Sequence, residues 1–282
     1  MGEPTSDFSS SSSRASSDYE IGEIIEPFTF DIDTLLHLQR NQRVQHHKYF
    51  NQTIETNGCV KINGKLRRRA RAHDINFILK LGLENAIEWA EHFEPFRVLT
   101  DTDKKLVLSE FGFACVLIDQ GFKTAKESVE GYWLLQNGTF MHSDYFLALP
   151  EEDTKKANVE KKAELHFAFI NELDRCVSTP FRKLKIDEFE CSVLKTVLLL
   201  TPSFPGQVIF QDIEHLHKKC MKELMRHSVI RSPDRGPERF GEIILLISSI
   251  RCGVKALYNQ TRNSDIFHLM SFDPFVRSIF LP

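Results

Sequence analysis

Apolar residues recur at spacings of three and four within Asp74–Phe93, and further apolar residues occupy the other faces of the helix that this spacing predicts. Pro95 is expected to end this helix, because the residue before a proline is pushed out of the α-helical region. Thr100, with Asp103 three residues later, then predicts a capping box at the start of a second helix. That helix continues into the apolar run 111–118. We therefore expect two consecutive helices, both buried.

Similar patterns predict helices along most of the remaining chain. Asp187 and Asp273 each precede an apolar run as N-cap residues, and Pro180 is expected to end the helix before it. The predicted segments are Asp33 to about Phe50, ended by a loop at Asn57-Gly58, then 151–177, 185–200, 207–229, 238–261 and 273–280.

A β-hairpin is predicted at Asn137-Gly138, which lies between two flanks rich in aromatic residues. A type I′ turn requires positive φ at both central residues, and asparagine and glycine adopt that conformation readily. The predicted fold class is therefore all-α with one small β-hairpin.

The domain organisation follows from length and composition. With 282 residues, of which 41% are hydrophobic and 27% charged, the chain is long enough for one large core. Residues 1–20 are rich in serine and are expected to form a disordered tail, whose serines are either simply solvated or phosphorylated. Residues 21–282 are expected to form one domain.

Charge and sequence motifs exclude several classes of function. A net charge of −3 argues against a surface built mainly to bind nucleic acid. No apolar run of membrane length and no secretory signal are present, so we expect a soluble intracellular protein without membrane contact. The six cysteines are scattered without a C-x2-C pair and are expected to be reduced thiols. No catalytic motif was found, so neither enzyme activity nor a cofactor is predicted.

Two clusters of polar residues have alternative interpretations. Lys65–Arg71 contains four arginines and is either a nuclear localisation signal, a phosphate-binding strip or a solvated approach to the central helix. His215 and His217 do not share one helical face and are expected on the surface; His227 lies on the same predicted helix. No metal site is predicted.

Residues around the first two predicted helices carry a family resemblance. Glu88–Phe96, Leu99, Asp103 and the run Leu106–Ile118 resemble the signature of the nuclear hormone receptor ligand-binding domain, where its helices 3, 4 and 5 meet. The high phenylalanine content, 23 residues, is similar to that of the nematode members of this family. The resemblance covers roughly residues 70–282 and implies a three-layer antiparallel helical sandwich, with the hairpin directly after helix 5.

The resemblance also implies a cavity for a small lipophilic ligand. Lys123 lies near the position where some family members keep an arginine for a ligand carboxylate, which implies a fatty-acid-like ligand. The alternative is a collapsed cavity filled by phenylalanines. The lining residues implied by the family pattern are Ile75, Ile78, Leu79, Gly82 and Val116.

The last predicted helix resembles the activation helix of the receptors, and its coregulator surface would include Phe275, Val276, Ile279 and Phe280. Ser278 stands where the family has a glutamate, and Glu91 stands where most members have a lysine. These charges hold the two ends of a coactivator helix in the family. Conventional binding of Leu-x-x-Leu-Leu coactivators is therefore not expected here.

The function implied is that of a ligand-responsive or orphan nuclear receptor, located in the nucleus, that regulates transcription through coregulators. Helix 238–261 would supply a homo- or heterodimer interface along one face and pack against the core along another. Because no zinc module is present, we expect no direct DNA contact by this chain, which is either part of a longer receptor or dimerises with a DNA-bound partner. The alternative function is a helical lipid-binding carrier or scaffold, which needs the cavity but no partner surface on the terminal helix.

Overall fold

The computed structural model describes residues 31–48, 59–155, 158–203, 208–211, 213–266 and 270–281. The predicted tail 1–20, the predicted helix end near Phe50 and the loop at Asn57-Gly58 lie outside these residues. The helices and strands are α1 (Ile32–Lys48), β1 (Cys59–Ile62), β2 (Lys65–Arg68), α2 (Ala72–Ala90), α3 (Glu94–Arg97), α4 (Asp101–Glu127), β3 (Tyr132–Leu134), β4 (Phe140–His142), α5 (Glu151–Thr154), α6 (Val159–Leu173), α7 (Thr179–Leu184), α8 (Glu188–Leu200), α9 (Glu214–Arg231), α10 (Gly236–Ile266) and α11 (Pro274–Phe280).

The start of α4 confirms the predicted capping box. The Thr100 hydroxyl oxygen accepts a hydrogen bond from the Asp103 backbone N–H at 3.2 Å and donates to the Asp103 carboxylate at 2.8 Å. Pro95, in contrast, does not end α2, which stops at Ala90. Pro95 lies in the first turn of α3, where a proline costs no helical hydrogen bond.

The helix α4 is the centre of the domain. It packs against α2 on one side and α10 on the other, and α8 lies beside it. Every residue from Phe111 to Ile118 is buried, as the apolar run predicts. The result is the predicted three-layer helical sandwich. None of the described helices is long and apolar enough to cross a membrane.

The structure contains two antiparallel hairpins among the described residues, and only one was predicted. The missed hairpin pairs β1 with β2 through Asn63 and Gly64, whose φ angles are 45° and 78°. These angles fit the type I′ turn. At the predicted hairpin, Gly138 has positive φ but Asn137 does not, and the Leu135 N–H donates to the Thr139 carbonyl at 2.9 Å across a longer loop. The predicted turn type there is wrong.

The prediction that Pro180 ends a helix is also wrong. From α6 the chain continues through a π-helical turn, Asp174–Ser178, directly into α7. Pro180 removes the N–H that would bond the carbonyl four residues earlier, that of Cys176. The Ser249 hydroxyl of α10 donates to this Cys176 oxygen at 2.7 Å, so the carbonyl stays satisfied and the helix continues.

Candidate ligand cavity and terminal helix

A cavity of about 450 Å³ lies among α2, α4, α6, α10 and the residues that join β2 to α2. Ile75, Ile78, Leu79 and Val116, the predicted lining residues, all face it. The volume falls within the usual range for small-molecule sites. Phenylalanines contribute to the wall but do not fill the space, so the collapsed alternative is not what the structure contains.

Gly82, also predicted in the lining, is not part of the cavity wall. A Cβ atom built on Gly82 would lie 2.2 Å from Cγ2 of Val116, so the glycine allows α2 and α4 to approach closely. Its role is to bring Val116 against α2. The prediction that Gly82 lines the cavity is therefore wrong. Gly82 is a packing residue, and it affects the cavity only through the position of Val116.

Lys123 does not line the cavity either. Its Nζ lies 3.1 Å from Oε1 of Glu127, which Arg67 and Lys65 also contact. Burial lowers the pKa of Lys123, and the charge of Glu127 partly offsets this effect. Lys123 is therefore not placed to bind a ligand carboxylate inside the cavity, in contrast to the role that the resemblance implies.

Cationic side chains occupy one end of the cavity, where β2 meets α2. Arg68 is bound to both carboxylate oxygens of Asp74 at 2.8 Å. Arg69 donates from Nη1 to the Leu147 carbonyl at 2.5 Å, and its guanidinium lies 5.0 Å from the ring centre of Tyr145. Burial lowers the pKa of Arg69, an effect that nearby acidic groups only partly offset.

His166 of α6 lies beside this cationic end and is uncharged at neutral pH. Burial first, and then the charge of Arg69, lower the pKa of His166 to about 4. Its Nε2 lies 2.9 Å from the backbone oxygen of His142, so Nε2 carries the proton that makes this hydrogen bond. Arg69 is thus the cation of this pair.

The arginines of the Lys65–Arg71 cluster are parts of the fold, and the predicted solvated approach is wrong for most of them. Arg67 is buried and donates to the Gly138 carbonyl at 3.1 Å and to Glu127 at 2.8 Å. With Arg68 bound to Asp74 and Arg69 in the cavity wall, Lys65 and Arg71 are the basic residues of the cluster that are largely exposed. Alternation along β2, which turns Arg67 inward, was the sequence signal for this arrangement.

The terminal helix α11 is folded onto the core. The Asp273 carboxylate accepts from the Phe275 N–H at 2.9 Å, which confirms the predicted N-cap. Phe280 is fully buried and stacks on Phe113 with ring centres 3.8 Å apart. A Cβ atom at Gly112 would lie 2.9 Å from the Phe280 ring, so this glycine makes room for the ring.

The residues predicted on the coregulator surface are divided between two faces of α11. Val276, Ile279 and Phe280 are buried against the domain, so they are not a surface in this conformation. Phe275 is half-buried and Ser278 is exposed, as is Glu91 at the end of α2. The prediction that these three side chains form an exposed surface is wrong, because burying their apolar area against the core is favourable.

A cluster of possible metal ligands joins α8 to α9. Oxygen and nitrogen atoms of Asp187, Glu190 and His227 all lie within 4.8 Å of one another. Arg231 and Arg239 bind Glu190 at 2.8 and 2.7 Å, so two cations already neutralise these carboxylates. The cluster is a structural ion-pair network. His227 is a partly buried member of this network, with its Nε2 2.7 Å from the Asp187 carboxylate.

Comparison with known proteins decides the family. A model described as the ligand-binding domain of nuclear hormone receptor matches residues 61–267. The chain belongs to this family. Nuclear hormone receptors are ligand-regulated transcription factors rather than enzymes, in agreement with the prediction from sequence.

Individual members of the family share low sequence identity with this chain. Nuclear hormone receptor family member nhr-80 of Caenorhabditis elegans is 22% identical over 210 residues, which are 72% of this chain and 41% of that protein. Family member nhr-64 of the same nematode is 22% identical over 254 residues, 89% of this chain and 62% of that protein. Retinoic acid receptor RXR of Biomphalaria glabrata is 25% identical over 176 residues, 61% of this chain and 35% of that protein. The chain therefore spans less than two thirds of each of these relatives.

In this nuclear receptor ligand-binding domain, α10 has two different faces. Ile243, Leu246 and Ile250 are buried and pack against the core. Leu245 points away from it and is 73% exposed. The core-packing interpretation of the 238–261 helix is therefore correct for its inner face, and its outer face carries an apolar side chain in solvent.

Proposed function

We propose that this chain is the ligand-responsive part of a nuclear receptor that regulates transcription. One observation carries the proposal: the cavity wall includes Met270 and Phe272, which lie immediately before α11. A ligand in the cavity would contact the segment that holds the terminal helix. A ligand that binds one position of α11 more tightly than another shifts the population towards that position.

The proposed output surface is the exposed side of α11 together with the end of α2. Glu91 and Ser278 are both exposed there, and neither reproduces the charge that the family places at its position. We expect a coregulator whose helix ends differ from those of conventional coactivators, because Glu91 favours a cation where a lysine would favour the negative end of a helix.

Dimer formation, nuclear location and indirect contact with DNA complete the proposal. The exposed outer face of α10, marked by Leu245, supports a homo- or heterodimer interface. A net charge of −3 does not favour DNA phosphates, so the proposal includes no direct DNA contact by this chain. Membership of the family supports a nuclear location.

The test is reporter transcription with residues 21–282 tethered to an unrelated DNA-binding domain. We compare the unchanged domain, a form without residues 272–282 and the variant Phe275→Ala, which alters a half-buried residue of α11. Transcription that changes when α11 is removed or altered, while circular dichroism shows an unchanged fold, supports the receptor function. An inert reporter with all three forms contradicts it and favours the carrier or scaffold, especially if lipids copurify with the protein.

A further inference from the structure

We propose that the exposed face of α9 is a docking surface for the acidic segment of this chain that precedes α1, residues 18–26. Four cationic side chains form this surface, which we call the basic stripe: Lys218, Lys219, Lys222 and Arg226. Neither the cavity nor the terminal helix takes part in it. The inference therefore goes beyond the proposed function and does not depend on a ligand or a coregulator.

The basic stripe follows from the helical period of α9. Its members lie three and four residues apart, so they share one face of the helix. The opposite face, which includes Leu216, Cys220 and Leu224, is buried. All four cationic residues are exposed, and the buried face fixes the side of α9 on which they lie. The helix thus presents a row of cations to solvent along roughly 12 Å of its axis.

Carboxylates of α9 neutralise the basic stripe only in part. Glu214 lies 3.3 Å from Lys218, and both side chains are largely exposed, so this pair is weak. Glu223 binds Arg226 at 2.7 Å. Lys222 forms no hydrogen bond or ion pair with any residue that the structure describes. Four cations against two carboxylates leave an excess of positive charge on this face.

The segment before α1 carries the complementary charge. Its four carboxylates are those of Asp18, Glu20, Glu23 and Glu26. No lysine or arginine occurs in residues 18–30. Several ion pairs along one surface form a network, which stabilises more than an isolated exposed pair does. The acidic segment is therefore an occupant whose charge matches that of the basic stripe.

The described part of the chain begins close to the basic stripe. Hydrogen bonds from Thr34 and from the Asp33 backbone, and then the charge of Lys219, lower the pKa of the Asp31 carboxyl. The start of α1 and Lys219 are therefore neighbours. Glu26 comes five residues before Asp31, so an extended chain allows it to lie up to roughly 17 Å away. Because the basic stripe extends only roughly 10 Å beyond Lys219, all of it is within reach.

Apolar side chains extend the match beyond the charges. On α9 the basic stripe is followed by Val229 and Ile230, which are 42% and 66% exposed. Ile21, Ile24 and Ile25 lie between carboxylates of the acidic segment. Contact between these two sets would remove apolar area from water, which is favourable. Charge and apolar exposure thus indicate the same occupant.

The same features favour an acidic peptide over a nucleic acid. A nucleic acid binds through closely spaced phosphates, and Glu214 and Glu223 would repel them. It would also leave Val229 and Ile230 in solvent, whereas the isoleucines of the acidic segment would cover them.

The test is zero-length crosslinking of the full chain with a carbodiimide, which joins a carboxylate to a lysine when the two groups are in contact. Mass spectrometry then identifies the joined peptides. We expect residues 18–26 to be joined to Lys219 and Lys222, and not to Lys161, an exposed lysine of α6. In a mixture of nitrogen-15-labelled and unlabelled protein, each joined pair should carry a single label, because the contact lies within one chain.

The double variant Lys218→Gln/Arg226→Gln tests the role of charge and keeps Lys222 as the reporter. Both residues are exposed, so circular dichroism should show an unchanged fold. The yield of peptides joined at Lys222 should fall about fivefold, the effect of losing two or three exposed ion pairs. About 1 M sodium chloride should lower the wild-type yield similarly, because salt screens exposed charges. The matched control Lys161→Gln should leave the yield unchanged.

The other outcomes overturn the inference. They are the absence of joined peptides, joined pairs that carry both labels, crosslinks to Lys161 as frequent as those to Lys222, and a yield that neither the double variant nor salt lowers. A short single-stranded DNA that abolishes the wild-type crosslinks at an equimolar amount would assign the basic stripe to nucleic acid instead, which also overturns the inference.

Discussion

At the scale of single residues, the main feature is a charged group inside the core. Lys195 of α8 is 1% exposed, and its Nζ lies 2.9 and 2.8 Å from the two oxygens of Asp119. Arg43 of α1 reaches the same carboxylate at 3.1 Å. Burial alone would raise the pKa of Asp119, but Lys195 and Arg43 outweigh burial and lower it. This ion-pair group joins three helices, and its charges stabilise the domain only as a set.

We predict that Lys195→Met destabilises the domain by about 3–5 kcal/mol, because it leaves Asp119 buried without its closest partner. Urea denaturation followed by circular dichroism measures the change in unfolding free energy. The control is Lys161→Met, which removes an exposed ion pair with Glu164 and is expected to cost less than about 1 kcal/mol. Equal effects of the two substitutions would contradict the prediction.

Glu127 provides a prediction about pH. Burial would raise its pKa, but Lys123, Arg67 and Lys65 lower the pKa of Glu127 from 4.5 to about 2. A carboxyl group whose pKa is lower in the folded state stabilises the fold above the unfolded pKa, and this stability is lost as the pH falls. The loss due to Glu127 is expected as the pH falls from about 4.5 to about 2.

The variant Glu127→Gln tests this dependence, because glutamine cannot bind the proton. Unfolding free energies measured in urea at a series of acidic pH values should fall less steeply for Glu127→Gln than for the wild type. At neutral pH the variant should be the less stable of the two, since the three cations lose their anion. Parallel pH curves for both proteins would show that Glu127 does not contribute as proposed.

At the scale of elements, the attachment of α11 depends on a glycine of α4. The Phe280 ring occupies space that a side chain at Gly112 would need. The terminal helix is short, so its position depends on contacts with the domain, among them this one and the hydrogen bond from the Asp273 N–H to Asn76. We therefore expect a change at Gly112 to act first on the docking of α11.

We predict that Gly112→Ala weakens the docking of α11 by about 1–3 kcal/mol through overpacking. Hydrogen exchange at residues 270–281 should become faster, while α8 keeps its protection. Gly241→Ala is the matched control, because a Cβ at Gly241 meets nothing within 4 Å. This control should stabilise α10 by about 0.5–1 kcal/mol. Unchanged exchange of α11 in Gly112→Ala would contradict the assigned contact.

The sequence predicted those features of the fold that depend on residues close together in the chain. The caps at Thr100 and Asp273 depend only on neighbouring residues, and both were predicted. Pro180 was predicted wrongly because Ser249, far along the chain, satisfies the carbonyl that the proline leaves free. The cationic end of the cavity was missed for the same reason, since Arg69 and His166 come together only in the folded chain.

At the scale of the whole molecule, the outer face of α10 is the surface through which we expect the domain to associate. The outer face of α10 carries Leu245, the side chain that is 73% exposed. Single exposed apolar residues are common on protein surfaces, so exposure alone does not define an interface. A dimer through the outer face of α10 would bury Leu245.

We predict that Leu245→Glu reduces self-association or association with a receptor partner, because it places a charge in the proposed contact. Light scattering coupled to size-exclusion chromatography measures the mass at several concentrations. The control is Phe167→Glu, which changes another exposed apolar residue, 57% exposed, on α6. An equal loss of association in both variants would indicate a different interface.

The position of Arg69 at the end of a hairpin has an evolutionary consequence. The hairpin β1–β2 packs mainly on β3 and β4 through Ile62, Leu134 and Phe140, apart from the large core around α4. Substitutions at the end of β2 would change the charge at the cavity with little effect on that core. Related receptors are therefore expected to differ in the charge at this end of the cavity through changes in this hairpin, while the helical layers stay constant.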